Sequence, residues 1–481
     1  MEYKFKRDIY KEIKMSIVNN IVTFLFGPRK CGKTICMKQI HTDIEYSKYY
    51  DLKPMNIQQR EDVISEIVDS IQNNKENIFL IDEVTYLDCP ESALETIYNA
   101  MAMCNDTNTR VVLTGSQSVA LKSWADKYFC GCAGYVYAEF MNYDEWLRYM
   151  TTMNDSISEQ AEEASEESYV KFLYNIDKFY KMPNIKDYLE GCLDETVISN
   201  QNAVNIIFNN DSSDLTADFL LDVLYSVLIC LHNQVGKGIF EEKEHFRKEL
   251  KYMVDNTKIT KDIENQIDML LQQRYSSFKG CNEIQLKKAL LFLYNCGLIT
   301  FTTTGEALEE WNIANKLLND CINPGRDTRY KEDFFKTYNI FIKYPMFYVG
   351  LIKYAINDVQ MKQLSRRLLG SIVECHVRGL LPQKGQYEFR KPDDNNIMHE
   401  IDYVNPALAL AVEITVQKKH NNSFYMLREI ENRKPEHERI KYKFVMLTLD
   451  EEKTIGDTEY IPYFKYIQLL SSENNPYKLC T

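Results

Sequence analysis

Residues 27–34 read Gly-Pro-Arg-Lys-Cys-Gly-Lys-Thr, between an apolar run, Ile21 to Phe26, and a segment of helical character. The spacing of Gly27, four residues, then Gly32-Lys33-Thr34 is that of a P-loop. In such a loop backbone N–H groups wrap phosphate oxygens and the next helix turns its positive end toward them. A short apolar run ahead of it fits a strand buried on both faces of a parallel sheet. Strand, tight loop and helix in that order call for an α/β fold. Gly27, Pro28, Arg29, Lys30, Cys31, Gly32, Lys33 and Thr34 form the expected phosphate cradle, with Lys33 reaching the β and γ phosphates and Thr34 holding Mg²⁺.

Two further apolar runs continue the pattern after a helix expected over 33–47. Asn77 to Ile81 leads into Asp82 and Glu83, and Arg110 to Leu113 leads into Thr114-Gly115-Ser116. Alternating strands and helices imply ligand binding at the strand C-termini. Asp82 is expected to face the metal through its water shell, and Glu83 to polarise the attacking water. The bland alternative is that both cap the next helix. Ser116, or Thr114 two residues earlier, would sense the γ phosphate, the alternative being turn chemistry around Gly115.

At 481 residues the chain exceeds one ordinary core, and a prior of roughly 100 to 200 residues per domain suggests three. The expected division is 1–150, 151–340 and 341–481. Its first boundary falls near a stretch, Thr151 to Ser168, rich in Asp and Glu and without a basic residue. A net charge of -13 disfavours coating nucleic acid by bulk electrostatics, though not a local basic surface. The 13 cysteines include no CxxC pair and are expected to be reduced, mostly buried thiols. Met1 to Lys14 mixes charges and aromatics, unlike a secretory signal, and Phe219 to Leu231 is short for a membrane span and broken by Asp222. The expected location is cytoplasmic, with no membrane partner.

Residues 169–280 read as largely helical. An amphipathic helix over Ile284 to Tyr294, a stop at Asn295-Cys296-Gly297 and a strand running into Thr302 to Thr304 match the second half of a winged helix. Lys287 and Lys288 could meet phosphates there, or simply be solvated. Mixed α/β character returns afterwards, with strands expected at Gln386 to Arg390, Glu400 to Val404, Ala407 to Ile414 and Lys443 to Leu449. The basic residues from Arg433 to Lys443 are interleaved with glutamates, which favours a salt-bridged surface helix. His376 could approach a site near Glu374, but a packed histidine is the plainer expectation.

The octapeptide, Phe-Leu-Ile-Asp-Glu-Val (79–84) and Leu-Thr-Gly-Ser-Gln-Ser (113–118) together resemble the bacterial and archaeal AAA-type ATPases that carry a C-terminal restriction-endonuclease-like domain. Ala133-Gly134-Tyr135, Ala138-Glu139-Phe140 and Asp144-Glu145-Trp146-Leu147 resemble the segment that closes the family's ATPase domain. Tyr135 stands where these relatives usually have arginine, and slow intrinsic ATPase is one consequence if that arginine is a finger. For the C-terminal domain the resemblance implies a PD-(D/E)XK fold, with Glu374, Asp402 and Glu413 as a nuclease site holding Mg²⁺. Its lysine position is occupied by Thr415. Lys419 lies on the same strand face but roughly 13 Å away. The site is therefore expected to be degenerate and nuclease activity lost.

The resulting expectation is an AAA-type parallel-sheet domain, a helical and winged-helix middle and a degenerate restriction-endonuclease-like α/β domain. ATP and Mg²⁺ are the expected cofactors. Contacts to the γ phosphate from Thr34, Glu83 and Ser116 would shift a two-state equilibrium and so drive a conformational change. DNA and a protein partner both stay open, as does oligomeric state. The rivals are an ATP-dependent nuclease or defence effector on DNA, and a nucleotide switch or scaffold with little turnover.

Overall fold

The computed structural model describes residues 5–104, 107–115, 118–129, 131–153, 163–179, 184–198, 215–230, 283–304, 317, 338–355, 366–382, 384–393, 396–415, 423–472 and 474–477. Two compact units divide the chain. One comprises Met1–Gln160, Glu190–Ser212 and Asn295–Gly297; the other comprises Ala161–Leu189, Ser213–Tyr294 and Leu298–Thr481. No helix among the described residues is long and apolar enough to cross a membrane.

The first unit runs α1 (Asp8–Asn19), β1 (Val22–Phe26), α2 (Lys33–Asp43), β2 (Ser47–Asp51), α3 (Ile57–Gln72), β3 (Ile78–Asp82), α4 (Pro90–Met103), β4 (Arg110–Thr114), α5 (Ser118–Phe129), β5 (Ala133–Tyr137) and α6 (Tyr143–Met153). Among the described residues its strands form a five-stranded parallel sheet in the order β2-β3-β4-β1-β5. β1 and β3 are buried along their whole length, as strands covered on both faces must be. The apolar runs of the sequence therefore mark the sheet interior.

The edge strands carry no such run. α2 ends at Asp43, where the Ile44 N–H bonds Ile40 O, and residues 47–51 form β2; the expected helix over 33–47 is four residues too long. β5, half-buried or exposed except at Val136, is likewise absent from the sequence-based expectation. α3 starts where Asn56 and Gln59 form a reciprocal capping box, each side chain satisfying the other's backbone N–H.

The second unit contains α7 (Glu166–Phe179), α9 (Ala217–Cys230), all of α10 (Glu283–Asn295) but its last residue, and part of α8 (Ile185–Ile198). There follow β6 (Ile299–Thr304), β7 (Tyr338–Ile342), α11 (Pro345–Ala355), α12 (Arg366–Leu380), β8 (Tyr387–Pro392), β9 (Met398–Asn405), β10 (Leu410–Ile414), α13 (Phe424–Arg433), β11 (Lys443–Thr448), β12 (Lys453–Ile455), β13 (Thr458–Pro462) and α14 (Tyr463–Ser471). Among the described residues eight strands form one sheet in the order β12-β13-β11-β10-β9-β8-β6-β7. β8, β9 and β10 make an antiparallel meander, and β11 and β13 extend it in parallel with β10. α13 closes over this sheet through Phe424 and Leu427, packed with Phe389, Ile401, Val404, Phe444 and Met446.

The winged-helix expectation is corrected here. α10 forms and stops at Gly297, whose φ of 71° suits glycine, but β6 pairs antiparallel with β7 and parallel with β8 inside the large sheet. Thr303 lies opposite both Tyr338 and Tyr387, and Thr304 opposite Glu388, so these threonines are sheet residues and not a wing tip. Residues 406–409 turn ahead of β10, which shortens the strand expected from Ala407. Residues 154–162, within the acidic stretch, and all of 231–282 lie outside the described residues. Among the described cysteines none forms a disulfide; Cys31, Cys36, Cys192 and Cys375 are buried, whereas Cys89 and Cys132 are exposed.

Candidate functional site

β1 and β3 do not pair with each other; β4 lies between them. The loop after β1, the Asp82-Glu83 pair after β3 and the end of β4 therefore share one edge of the sheet. Gly27 has φ 140°, and a Cβ there would sit 2.0 Å from the Ala138 carbonyl oxygen. Gly32, at φ 102°, is the residue from which α2 starts. Lys33 is buried, its ammonium donating to the carbonyls of Gly27 at 2.7 Å and Pro28 at 2.9 Å. Thr34 follows, half-buried in the first turn of α2.

Asp82 is 3% exposed and accepts a hydrogen bond from the Tyr49 hydroxyl at 2.8 Å. Burial, reinforced by the Asp82 charge, pushes the Tyr49 phenol up, so it stays a donor. Glu83 adopts φ 58°, a left-handed conformation that costs a non-glycine residue about 1–2 kcal/mol. It makes no side-chain capping bond to the short 3-10 turn after it. That geometry disfavours the capping alternative. The Thr114 hydroxyl donates to Leu25 O at 2.8 Å, which commits it to holding β4 against β1. Ser116 lies outside the described residues.

Arg7, Tyr49 and Glu145 also belong to this edge, and motif reading missed all three. Each sits more than 20 residues from the group it touches, and only the tertiary fold brings them in.

The second unit gathers Glu374 from α12, Asp402 from β9 and Glu413 from β10 into one electrostatic cluster. The sequence reading did not include four other members: Arg378, Glu388, Arg390 and Glu400. Arg378, fully buried, lies 3.1 Å from Glu374 and 3.8 Å from Glu388. Arg390 bonds Glu388 at 2.5 Å and Glu400 at 2.7 Å. Burial and mutual repulsion push the Asp402 and Glu413 carboxyls well above their ordinary range. Glu388 is also pushed up by burial and by its hydrogen bond with Glu400. Burial works against ionisation of Glu400 too, but that bond and the Arg390 guanidinium hold it down. Asp402 accepts from the Ile414 N–H at 2.6 Å, while Glu413 Oε2 is buried without a hydrogen bond.

Among the described residues no three His, Cys, Asp or Glu side chains converge to hold a metal ion. Glu374, Glu388 and Glu400 are turned onto guanidinium groups instead. Thr415 follows β10, its N–H bonded to Leu447 O, and Gln417, Lys418 and Lys419 lie outside the described residues. His376 is a packed histidine: Tyr169 Oη lies 2.9 Å from its Nδ1, Phe172 stacks on it, and burial lowers it to about 3. In the basic stretch, Arg433 pairs with Glu429 and Lys434 with Glu431.

A family model described as an AAA domain matches residues 19–147. The N-terminal part of the chain is thus an AAA-type, P-loop ATPase-like domain. Among curated proteins none matches the chain significantly. Solved structures that match the chain include a Walker-type ATPase of Pyrococcus abyssi, 15% identical with a TM-score of 0.32, covering 61% of this chain and 90% of that one. AMPPCP-bound DnaA from Aquifex aeolicus is 13% identical, TM-score 0.26, over 58% and 96%. The ORC1 protein of Aeropyrum pernix, in complex with DNA, is 8% identical, TM-score 0.24, over 76% and 91%.

Proposed function

We propose that the chain binds ATP with Mg²⁺ at the loop Gly27 to Thr34 and hydrolyses it to drive a conformational change. The observation that carries this reading is the shared sheet edge, where the loop after β1 and Asp82-Glu83 after β3 flank the end of β4. Lys33 would leave the Gly27 and Pro28 carbonyls for the β and γ phosphates, a change of partners that makes the loop itself responsive to nucleotide. Thr34 and Asp82 offer the oxygen donors a hard dication takes, Asp82 held by Tyr49. The metal, when bound, would neutralise phosphate charge. Glu83, held in a strained backbone and not engaged in capping, is the group to polarise the attacking water.

The test is ATP hydrolysis by the full chain beside Lys33→Ala and Glu83→Gln, with and without single- or double-stranded DNA. Loss of hydrolysis in both variants supports the reading, and stimulation by DNA would add nucleic-acid coupling. Tight binding with negligible turnover, indifferent to DNA, favours a nucleotide switch with a protein partner. Wild-type levels of hydrolysis in Lys33→Ala would overturn the assignment.

For the second unit we propose a restriction-endonuclease-like domain whose acidic cluster is compensated by arginine and no longer cuts DNA. The meander β8-β9-β10 followed by the parallel β11 supports the fold, and Arg378 and Arg390 support the loss. Cleavage of plasmid DNA with Mg²⁺ or Mn²⁺, abolished in Asp402→Asn, would refute it.

A further inference from the structure

Arg7 precedes α1 and lies outside every phosphate motif, yet its guanidinium reaches the loop. Nη1 donates to Cys31 O at 2.6 Å and to Glu139 O at 2.8 Å. Nε and Nη2 form a fork on the Glu145 carboxylate, at 3.2 and 2.7 Å. The side chains of Arg7 and Glu145 are 11% and 2% exposed. Glu145 also accepts the N–H groups of Asp8 and Asn142, and although burial opposes its ionisation, Arg7 keeps its carboxyl low. The pair is thus a buried, bidentate, fully engaged ion pair, and it has one hand on the loop backbone.

The hand matters because a trans peptide is planar, with its C=O and N–H on opposite sides. Pinning the Cys31 carbonyl to Arg7 therefore turns the Gly32 N–H the other way. Glu139 follows Ala138, whose carbonyl lies against Gly27. One guanidinium therefore holds the late part of the loop at Cys31 and also grips the backbone that abuts its start.

Resting on the reading that this loop binds ATP, we propose that Arg7 is a positioning residue, presenting the Gly32 amide to phosphate through the Cys31 carbonyl. Glu145 is the anchor that orients it. Nucleotide affinity is then set partly by the N-terminal segment, which reaches the phosphates only through the loop.

The test is ATP affinity of the full chain with Mg²⁺, measured calorimetrically below the melting temperature of every variant. Arg7→Ala is compared with Lys33→Ala and with Arg148→Ala, which cuts the neighbouring pair to Asp8 and does not touch the loop. Arg7→Ala is expected to lose about tenfold or more in affinity and Arg148→Ala no more than about twofold. Millimolar methylguanidinium should restore much of the loss in Arg7→Ala alone, which a merely structural role would not produce. If Arg7→Ala does not fold, Arg7→Lys and Glu145→Gln carry the same comparison, since neither preserves the charged fork. Wild-type affinity in the Arg7 variants, or equal losses in the Arg7 and Arg148 variants, would overturn the proposal alone. A wild type that binds no ATP, or a Lys33→Ala variant that binds it equally well, would instead overturn the reading beneath it.

Discussion

Tyr49, on the edge strand β2, donates its hydroxyl to Asp82 at the end of β3, across 2.8 Å. It ties the candidate metal-facing carboxylate to an element with no motif of its own. Removing the phenol leaves Asp82 without this orienting donor, the kind of loss that weakens metal binding by about 10-fold or more. Tyr49→Phe should therefore raise the Mg²⁺ concentration needed for half-maximal ATP hydrolysis about 10-fold, while metal-free nucleotide binding stays put. Unchanged Mg²⁺ dependence would detach Tyr49 from the site.

Gly27→Ala should be far more damaging than Gly131→Ala, although both glycines have positive φ. At Gly131 a Cβ meets nothing within 4 Å, so the cost is backbone strain of about 1 kcal/mol. At Gly27 the Ala138 carbonyl, at 2.0 Å, must also move, and overpacking adds about 1–3 kcal/mol. Thermal unfolding and ATP binding should both separate the two variants. Equal melting points would show that the loop relaxes freely.

Tyr135→Arg should leave ATP turnover within about twofold of wild type. The position pairs with Phe24, three residues short of Gly27 and so about 10 Å along the strand. Its ring stacks on Phe24 and Phe26, and its hydroxyl donates to Asp126 at 3.3 Å on α5. An arginine there starts on the sheet face, not at the phosphate edge. Acceleration of a hundredfold or more would restore it as a finger position.

Glu413→Gln should stabilise the C-terminal unit increasingly as pH rises. Burial holds the folded-state pKa of this carboxyl well above the unfolded value, so the folded state binds the extra proton. The stability it contributes is complete below the unfolded pKa and is lost as pH rises through the folded one. Glutamine avoids that loss. The melting midpoint of the variant should match wild type near pH 4 and exceed it by about 2–4 °C at pH 8. Comparing the two proteins at each pH cancels the opposite trend from His376, whose depressed pKa costs stability as pH falls below its unfolded value. A constant offset would place Glu413 in an unperturbed environment.

Local chemistry determined what the sequence could reveal. Val22 to Phe26 and Ile78 to Asp82 are legible because strands buried on both faces must be largely apolar, and Gly27 and Gly32 because only glycine suits their backbone and, at Gly27, the close Ala138 carbonyl. β2 and β5 escaped notice because edge strands keep polar, half-exposed side chains. The strand after α10 was legible as a strand, but its partners were not. Sheet pairing joins β6 to β8, whose residues are more than 80 positions away, and no local pattern encodes that distance. The same reason hides Arg7 beneath Cys31, Tyr49 beside Asp82, and Arg378 and Arg390 among the carboxylates. The sequence by itself determined the phosphate loop, the acidic pair after β3 and the character of the central strands, because those follow from neighbouring residues. Only the tertiary structure decided which buried charges meet, because the cost of burying a charge is offset by whichever partner the fold brings within reach.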